Sequence, residues 1–212
     1  MCGIAGVLNF APSNTVARDV LARMNRAIRH RGPDDEGFWV KGNVGLAHQR
    51  LAVIDLSRTG RQPMVDARGT SRITYNGEVY NHLDLREKLK RQGHRFNGTS
   101  DTETILHLYE EFGVDCVNHL RGMFAFGLWD AGARKLFLAR DRMGQKPLFY
   151  YRDEEHFIFA SELKAVLAHP AVRRRLHPEA IPNYLTYGYV PGPATAFEGV
   201  GELLPAHCLS FE

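Results

Sequence analysis

At 212 residues, with 44% hydrophobic and 24% charged residues, the chain has the size and composition of one ordinary globular domain, which excludes a disordered or low-complexity polypeptide. A formal net charge of +3 is too small to argue for nucleic acid, and the only dense basic run, Arg173-Arg174-Arg175, reads as a solvated face at a helix end. Three cysteines without paired spacing suggest neither a disulfide framework nor a zinc site, ten histidines form no His-Glu-x-x-His set, and no stretch approaches the ~20 apolar residues of a membrane span, so a protein of the reducing cytoplasm without metal or membrane contacts is expected.

In chain order, Gly3 to Leu8 is a short apolar run with the profile of a buried strand, its two glycines pointing first to close packing. Val16, Val20, Leu21, Met24 and Ile28 fall on one helical stripe, which His30-Arg31-Gly32-Pro33-Asp34 breaks. Phe38 to Val40 and Val44 to Ala47 read as a hairpin around Gly42-Asn43, Leu51 to Ile54 as the apolar continuation of its second strand, and Ile73 to Tyr75 as another strand. Leu83 to Leu89 reads as a helix. Ser100-x-x-Glu103 is a capping box that opens the next, through to Phe112. Phe124 to Trp129, Lys135 to Ala139, Leu148 to Tyr151 and Phe157 to Ala160 make a strand-rich meander, followed by helices at Glu162 to Leu167 and Glu179 to Leu185. Strands in clusters and helices in separate blocks predict antiparallel sheets covered by helices, an α+β fold.

The chemistry starts at Cys2. Removal of Met1 would place a thiol and a free α-amine on one residue, and their reference pKa values, ~8.5 and ~8, lie close enough for the amine to take the thiol proton and return it near neutral pH. A strand behind it would hold it rigidly. Asn76-Gly77 is, on local sequence alone, the strongest short hairpin signal in the chain. Arg140-Asp141-Arg142 and Gly144-Gln145-Lys146, between two strands, suggest a solvated turn more than a phosphate site.

The strings MCGIAGV, RHRGPDDEG, LAHQRLAVIDL, GRQPM, YNGEVYNH, GTSDTETIL, GMFAFGLWD, RDRMGQKPLFY and ASELKAVL span Cys2 to about Leu167, with weaker similarity in YLTYGYVPGP and ELLPAH. Together they resemble the class II glutamine amidotransferase domain, an N-terminal-nucleophile hydrolase, in the form found at the front of glutamine-hydrolysing asparagine synthetases. The resemblance implies a four-layer α/β/β/α sandwich with two antiparallel sheets. It implies that Cys2 attacks the side-chain amide of L-glutamine to give a γ-glutamyl thioester, that the Asn76 side chain and Gly77 N–H form the oxyanion hole, and that Arg50 and Asp101 bind the α-carboxylate and α-ammonium of glutamine. It further implies that Leu51, Ala52, Val53, Ile54 and Glu78 touch the substrate, while His30 to Asp34 support the site without a chemical step. It reverses the hairpin preference at Asn76-Gly77, although a tight turn remains one way to present the Gly77 N–H. For Asp101 a helix-start role stands beside the binding role.

The same resemblance implies that residues 1–212 are a glutaminase domain, 190–212 leading toward a synthetase domain beyond this chain, where ATP and Mg would be used and ammonia consumed; no cofactor is expected in the glutaminase domain itself. Aspartate is the expected acceptor. Another acceptor, or a glutamine-binding regulator without catalysis, are the alternatives, and a homodimer is compatible with all of them. Leu204-Pro205-Ala206-His207 stands where the family commonly has Pro-Pro-Gly-His.

Overall fold

Alternation along the strands decides how the molecule is layered. In the computed structural model, which describes residues 1–212, β1 (Gly3–Asn9) sends Ile4 and Leu8 to one side and Ala5 and Val7 to the other. Every pairing among the strands is antiparallel, in two sheets. The first is built from β1, β2 (Asp35–Lys41), β3 (Val44–Arg50), β8 (Phe149–Arg152), β9 (His156–Ala160) and β10 (Val200–Glu202), in the order β10-β8-β9-β1-β3-β2. The second is built from β4 (Met64–Val65), β5 (Ser71–Val79), β6 (Gly122–Asp130), β7 (Lys135–Arg140) and β11 (Cys208–Phe211), in the order β11-β7-β6-β5-β4.

Three apolar cores follow from the alternation. Between the sheets, Ile4, Leu8, Leu46, Phe157 and Phe159 of the first meet Ala125, Trp129, Leu136 and Leu138 of the second. Outside the first sheet, Ala5, Val7, Ala47 and Ile158 pack on α1 (Arg18–Ala27) and α4 (Leu163–Val166). Outside the second, Tyr75, Phe124, Phe126 and Leu128 pack on α2 (His82–Arg91) and α3 (Asp101–Phe112). The result is the expected α+β sandwich: helices, sheet, sheet, helices. The Phe159 ring takes the space that side chains at Gly6 and Gly127 would fill, a Cβ at either lying 2.2–2.4 Å from it; the packing reading of Gly6 holds.

Differences from the sequence reading have local causes. Asn76-Gly77 is not a turn but the middle of β5, with Asn76 opposite Ala125 and Gly77 opposite Phe124. Glycine is needed because β6 approaches: a Cβ at Gly77 would lie 2.3 Å from the Met123 carbonyl oxygen. Leu51 to Ile54 do not continue β3, which ends at Arg50. Side chains draw the segment into a loop instead, Asp34 accepting the Ala52 N–H at 2.8 Å and the Arg50 guanidinium donating to the Asp55 and Ser57 carbonyls. Ser100 caps α3 through the Thr102 N–H, while the Glu103 carboxylate accepts from Asn97 and Gly98 rather than from Ser100, so only half of the capping box forms. The short edge strands β4, β10 and β11 carry too few residues to show a period of two. A last helix, α5 (Ala180–Tyr187), ends on Gly188 in the left-handed region at φ 78° and leaves Ile181, Tyr184 and Leu185 exposed. No helix is long and apolar enough to cross a membrane.

Candidate active site

One end of the sandwich opens into a cavity of about 150 Å³, lined from both sheets and from the loop after β3. The lining brings together every residue singled out from the sequence: Cys2, Arg50, Leu51, Ala52, Val53, Ile54, Asn76, Gly77, Glu78 and Asp101. These come from four separate stretches of chain. The β-sandwich makes them neighbours because β1 pairs with β3 in one sheet while β5 faces them from the other.

Cys2 precedes β1, whose first residue, Gly3, lies opposite Gln49 next to Arg50. Its Sγ lies 3.4 Å from the Leu51 N–H nitrogen and 3.5 Å from the Leu51 carbonyl. Arg31 fixes the residue from behind, its Nε donating to the Cys2 carbonyl at 2.9 Å and its Nη1 to Glu162 at 2.8 Å. Burial pushes the Cys2 thiol pKa up, against the Leu51 N–H, the N-terminal charge and Arg50, all of which favour the thiolate. The resting group is therefore the thiol, and nucleophilic attack needs a base.

Asn76 is 1% exposed, and its Nδ2 is buried with no hydrogen-bond partner. A donor left unpaired on a cavity wall costs folding free energy unless a ligand uses it. Asp101, the first residue of α3, accepts on Oδ2 from the Tyr75 hydroxyl at 2.6 Å and the Val79 N–H at 2.9 Å. Both bonds fall on one oxygen, which leaves Oδ1 for a ligand. The Tyr75 pKa stands well above its ordinary value through burial and the Asp101 carboxylate beside it, so its hydroxyl stays a donor. The helix-start and binding roles of Asp101 are thus compatible, with cap Ser100 holding the helix and Tyr75 and Val79 aiming the carboxylate.

Arg50 is buried at the end of β3, its Nη1 donating to the Ser57 carbonyl at 3.0 Å and its Nη2 to the Asp55 carbonyl. Each terminal nitrogen keeps a second N–H. Asp55 ties the same loop down, accepting from the Ser57 N–H and hydroxyl, the Thr59 hydroxyl and the Thr99 N–H.

Tyr75, Gln62 and Lys146 are among the lining residues that were not picked out as site residues from the sequence. Gln62 accepts the Tyr75 N–H at 2.6 Å and reaches Thr102 at 3.3 Å. Lys146 corrects the reading of its segment as a solvated turn. Asp141 is 1% exposed and its carboxylate accepts four N–H groups, from Phe124, Met143, Gln145 and Lys146. The segment is a buried hub, and it delivers the Lys146 ammonium to the cavity, 3.1 Å from the Met1 sulfur. No residue-type pattern would have shown this, because the signal lies in Asp141 being buried.

The comparisons show the family and the fold. The model of the glutamine amidotransferase domain matches residues 1–212. An asparagine synthetase [glutamine-hydrolyzing] 3 of Bacillus subtilis (strain 168) is 44% identical over all of this chain, which covers 35% of that protein. The asparagine synthetase [glutamine-hydrolyzing] 2 of the same organism is 42% identical over 84% of this chain and 24% of its own length. The chain thus spans about a quarter to a third of these curated relatives. Among solved structures, the glutamine phosphoribosylpyrophosphate amidotransferase of B. subtilis with ADP and GMP superposes with a TM-score of 0.66 at 21% identity, covering 77% of this chain and 42% of that one, a likeness of fold.

Proposed function

Because the chain belongs to the glutamine amidotransferase domain family, we propose that it hydrolyses the side-chain amide of L-glutamine, with Cys2 as nucleophile and its own α-amine, freed by removal of Met1, as proton shuttle. Arg50 binds the substrate α-carboxylate and Asp101 Oδ1 the α-ammonium, a pairing that selects a free amino acid. Glu78 and the 51–54 loop close round the rest of the molecule. The amine takes the Cys2 proton as sulfur attacks the amide carbon, and the oxyanion that forms is held by Asn76 Nδ2 and the Gly77 N–H. The same proton passes to the leaving nitrogen, ammonia departs, and water, deprotonated by the amine, cleaves the γ-glutamyl thioester to glutamate and restores the thiol.

The single observation that carries this reading is the buried, unpartnered Asn76 Nδ2 in the same cavity as a thiol that needs a base. The ammonia goes to a synthetase half that uses ATP and Mg to activate an acceptor, aspartate first; the exposed apolar face of α5 is where that half seats, a homodimer being the other occupant of the face. A reducing cytoplasm keeps the three free cysteines, Cys2 among them, as thiols.

The test is glutamate release from glutamine, with intact-mass measurement of Met1 loss. Wild type is expected to lose Met1, release glutamate and be labelled at Cys2 by a glutamine-like electrophile; Cys2→Ala is expected to do neither of the last two. Glutamate release that survives Cys2→Ala would reject the mechanism. Glutamine binding without release in a processed chain would favour a regulator.

A further inference from the structure

At the far end of α3 from Asp101, three side chains meet whose arrangement the glutaminase reaction does not use. His107 and Glu110 share one face of α3, and His94 reaches them from the segment after α2. The three facing atoms form a small triangle: His94 Nδ1 to His107 Nδ1 is 3.0 Å, His107 Nδ1 to Glu110 Oε2 is 2.9 Å, and His94 Nδ1 to Glu110 Oε2 is 3.3 Å. His107 and Glu110 are nine-tenths or more buried, and Glu110 Oε1 is buried with no partner at all.

Protons cannot satisfy this triangle. His94 Nε2 lies 2.8 Å from Glu111 Oε1, an acceptor, so Nε2 carries hydrogen and a neutral His94 presents a bare lone pair at Nδ1. His107 Nδ1 then offers one hydrogen to two acceptors, and the edge between His94 Nδ1 and the Glu110 carboxylate has none. A doubly protonated His94 fares no better: its Nδ1–H either faces the Nδ1–H with which His107 holds Glu110, or donates to a bare His107 Nδ1 and leaves that lone pair against the Glu110 carboxylate at 2.9 Å.

A cation resolves all three edges at once. Zinc bonds of 2.0–2.1 Å in a tetrahedron set ligand atoms about 3.3 Å apart, the length of the His94–Glu110 edge, and the edges of 2.9 and 3.0 Å need only open slightly to reach it. Two imidazole nitrogens and one carboxylate are a borderline-hard donor set suited to zinc. The Glu110 and Glu111 carboxylates with two neutral imidazoles carry the charge a divalent ion cancels. Glu111 behind His94 supplies the carboxylate partner that orients a metal-bound histidine.

We propose that His94, His107 and Glu110 bind a divalent transition-metal cation of the zinc type, with the fourth position taken by water or by Glu110 Oε1. Independent of the chemistry at Cys2, the ion is structural: it clips the segment between α2 and α3 to α3. That segment includes Thr99, whose N–H holds Asp55 of the cavity loop. The site escapes a motif search because His94 lies 13 residues from His107, on the other side of a connector.

The test uses the full chain stripped with a chelator and titrated with Co²⁺, then Zn²⁺. One equivalent of Co²⁺ is expected to give the visible bands of a tetrahedral centre, Zn²⁺ to displace it, and thermal unfolding to shift upward with Zn²⁺. His94→Ala and His107→Ala are expected to lose the bands and the shift. Should buried His107→Ala fail to fold, Glu111→Gln serves instead, with an expected affinity loss of about 10–100-fold. Absence of tetrahedral bands in wild type, Zn²⁺ binding undiminished in His94→Ala, or unchanged affinity in Glu111→Gln would each overturn the site.

Discussion

The two walls of the cavity are held in different ways. On one side, Asn76 and Gly77 sit in the middle of β5, paired to β6, and Cys2 runs directly into β1 between two hydrogen-bonded neighbours. On the other, the 51–60 loop has no sheet partner and is held by side chains reaching backbone: Arg50 to two carbonyls, Asp34 to Ala52, Asp55 to Ser57 and Thr99. The sheet fixes the groups proposed to meet developing charge, where small displacements are costly. The loop wall is proposed to grip the parts of glutamine that do not react, and it can loosen without dismantling the core. Damage to the strand wall should therefore appear in kcat, and damage to the loop wall in KM.

Asn76→Ala is the largest expected break in that division. Its Nδ2 has no partner in the protein, so removal costs the fold little. If it stabilises the oxyanion, kcat should fall about 10²–10³-fold with KM little changed. Steady-state glutamate release beside a urea melt reads both. A large loss of stability with modest loss of kcat would reassign Asn76 to packing.

Acid should reach the strand wall before the loop wall. His48 lies in β3 behind Tyr75, its Nε2 3.1 Å from the Tyr75 carbonyl, and burial, with the Arg50 charge, pushes its pKa from 6.5 down to about 4. The unfolded chain therefore binds this proton first. Stability is full above pH 6.5 and lost as pH falls from 6.5 toward 4, by about 3 kcal/mol for such a shift. His169, also near 4 through burial and His156, adds to the loss in the same window. In Asp55, burial works to raise the pKa, but the hydrogen bonds from Thr99, Ser57 and Thr59 outweigh it, so this carboxylate stays charged throughout that window. Urea melts from pH 7 to 4.5 should show a slope that His48→Gln reduces but does not abolish. An unchanged slope would place the acid sensitivity elsewhere.

These walls were not equally legible in the sequence. Period-two alternation marked most of the strands, and the residue strings that resemble the glutaminase family named Cys2, Arg50, Asn76 and Asp101, all of which line the one cavity. The loop wall was misread as strand because Leu51-Ala52-Val53-Ile54 is apolar and β-branched. What bends it is a set of side-chain-to-backbone bonds from Arg50 and Asp55 within the loop and from Asp34 and Asp55 to residues 18 and 44 positions away, none of which apolar patterning registers. Asn76-Gly77 shows the converse, a turn signal overridden by its neighbour strand. Tyr75 stayed hidden because its role depends on Asp101, 26 residues away, and Lys146 because its role depends on the burial of nearby Asp141, which residue types do not reveal.

Asp55→Ala tests the loop wall itself. It removes the acceptor for Ser57, Thr59 and Thr99 together, so KM for glutamine should rise about tenfold, the weight of a hydrogen bond or two to a charged group, while kcat moves far less. A fall in kcat without a change in KM would erase the distinction between the walls.

Ala206→Gly is the smallest expected effect and the finest probe of the comparison. Ala206 sits at φ 61°, in the left-handed region that L side chains avoid at roughly 1–2 kcal/mol, at the position where the family commonly has glycine. Its N–H donates to the Asp141 carbonyl at 2.9 Å, and Asp141 in turn holds the turn that carries Lys146 to the cavity. Glycine removes the strain but enlarges the freedom of the unfolded chain, which returns about 0.4–1 kcal/mol of the gain. The net should be a stabilisation of about 0.5–1 kcal/mol, or roughly 1–4 °C in melting temperature for a domain of this size. Because the Asp141 hub is bonded independently of that strain, neither KM nor kcat should respond. A lowered melting temperature would mean that the Ala206 methyl group earns its place by packing, and a changed KM would mean that the Lys146 turn is set by Ala206 rather than by Asp141.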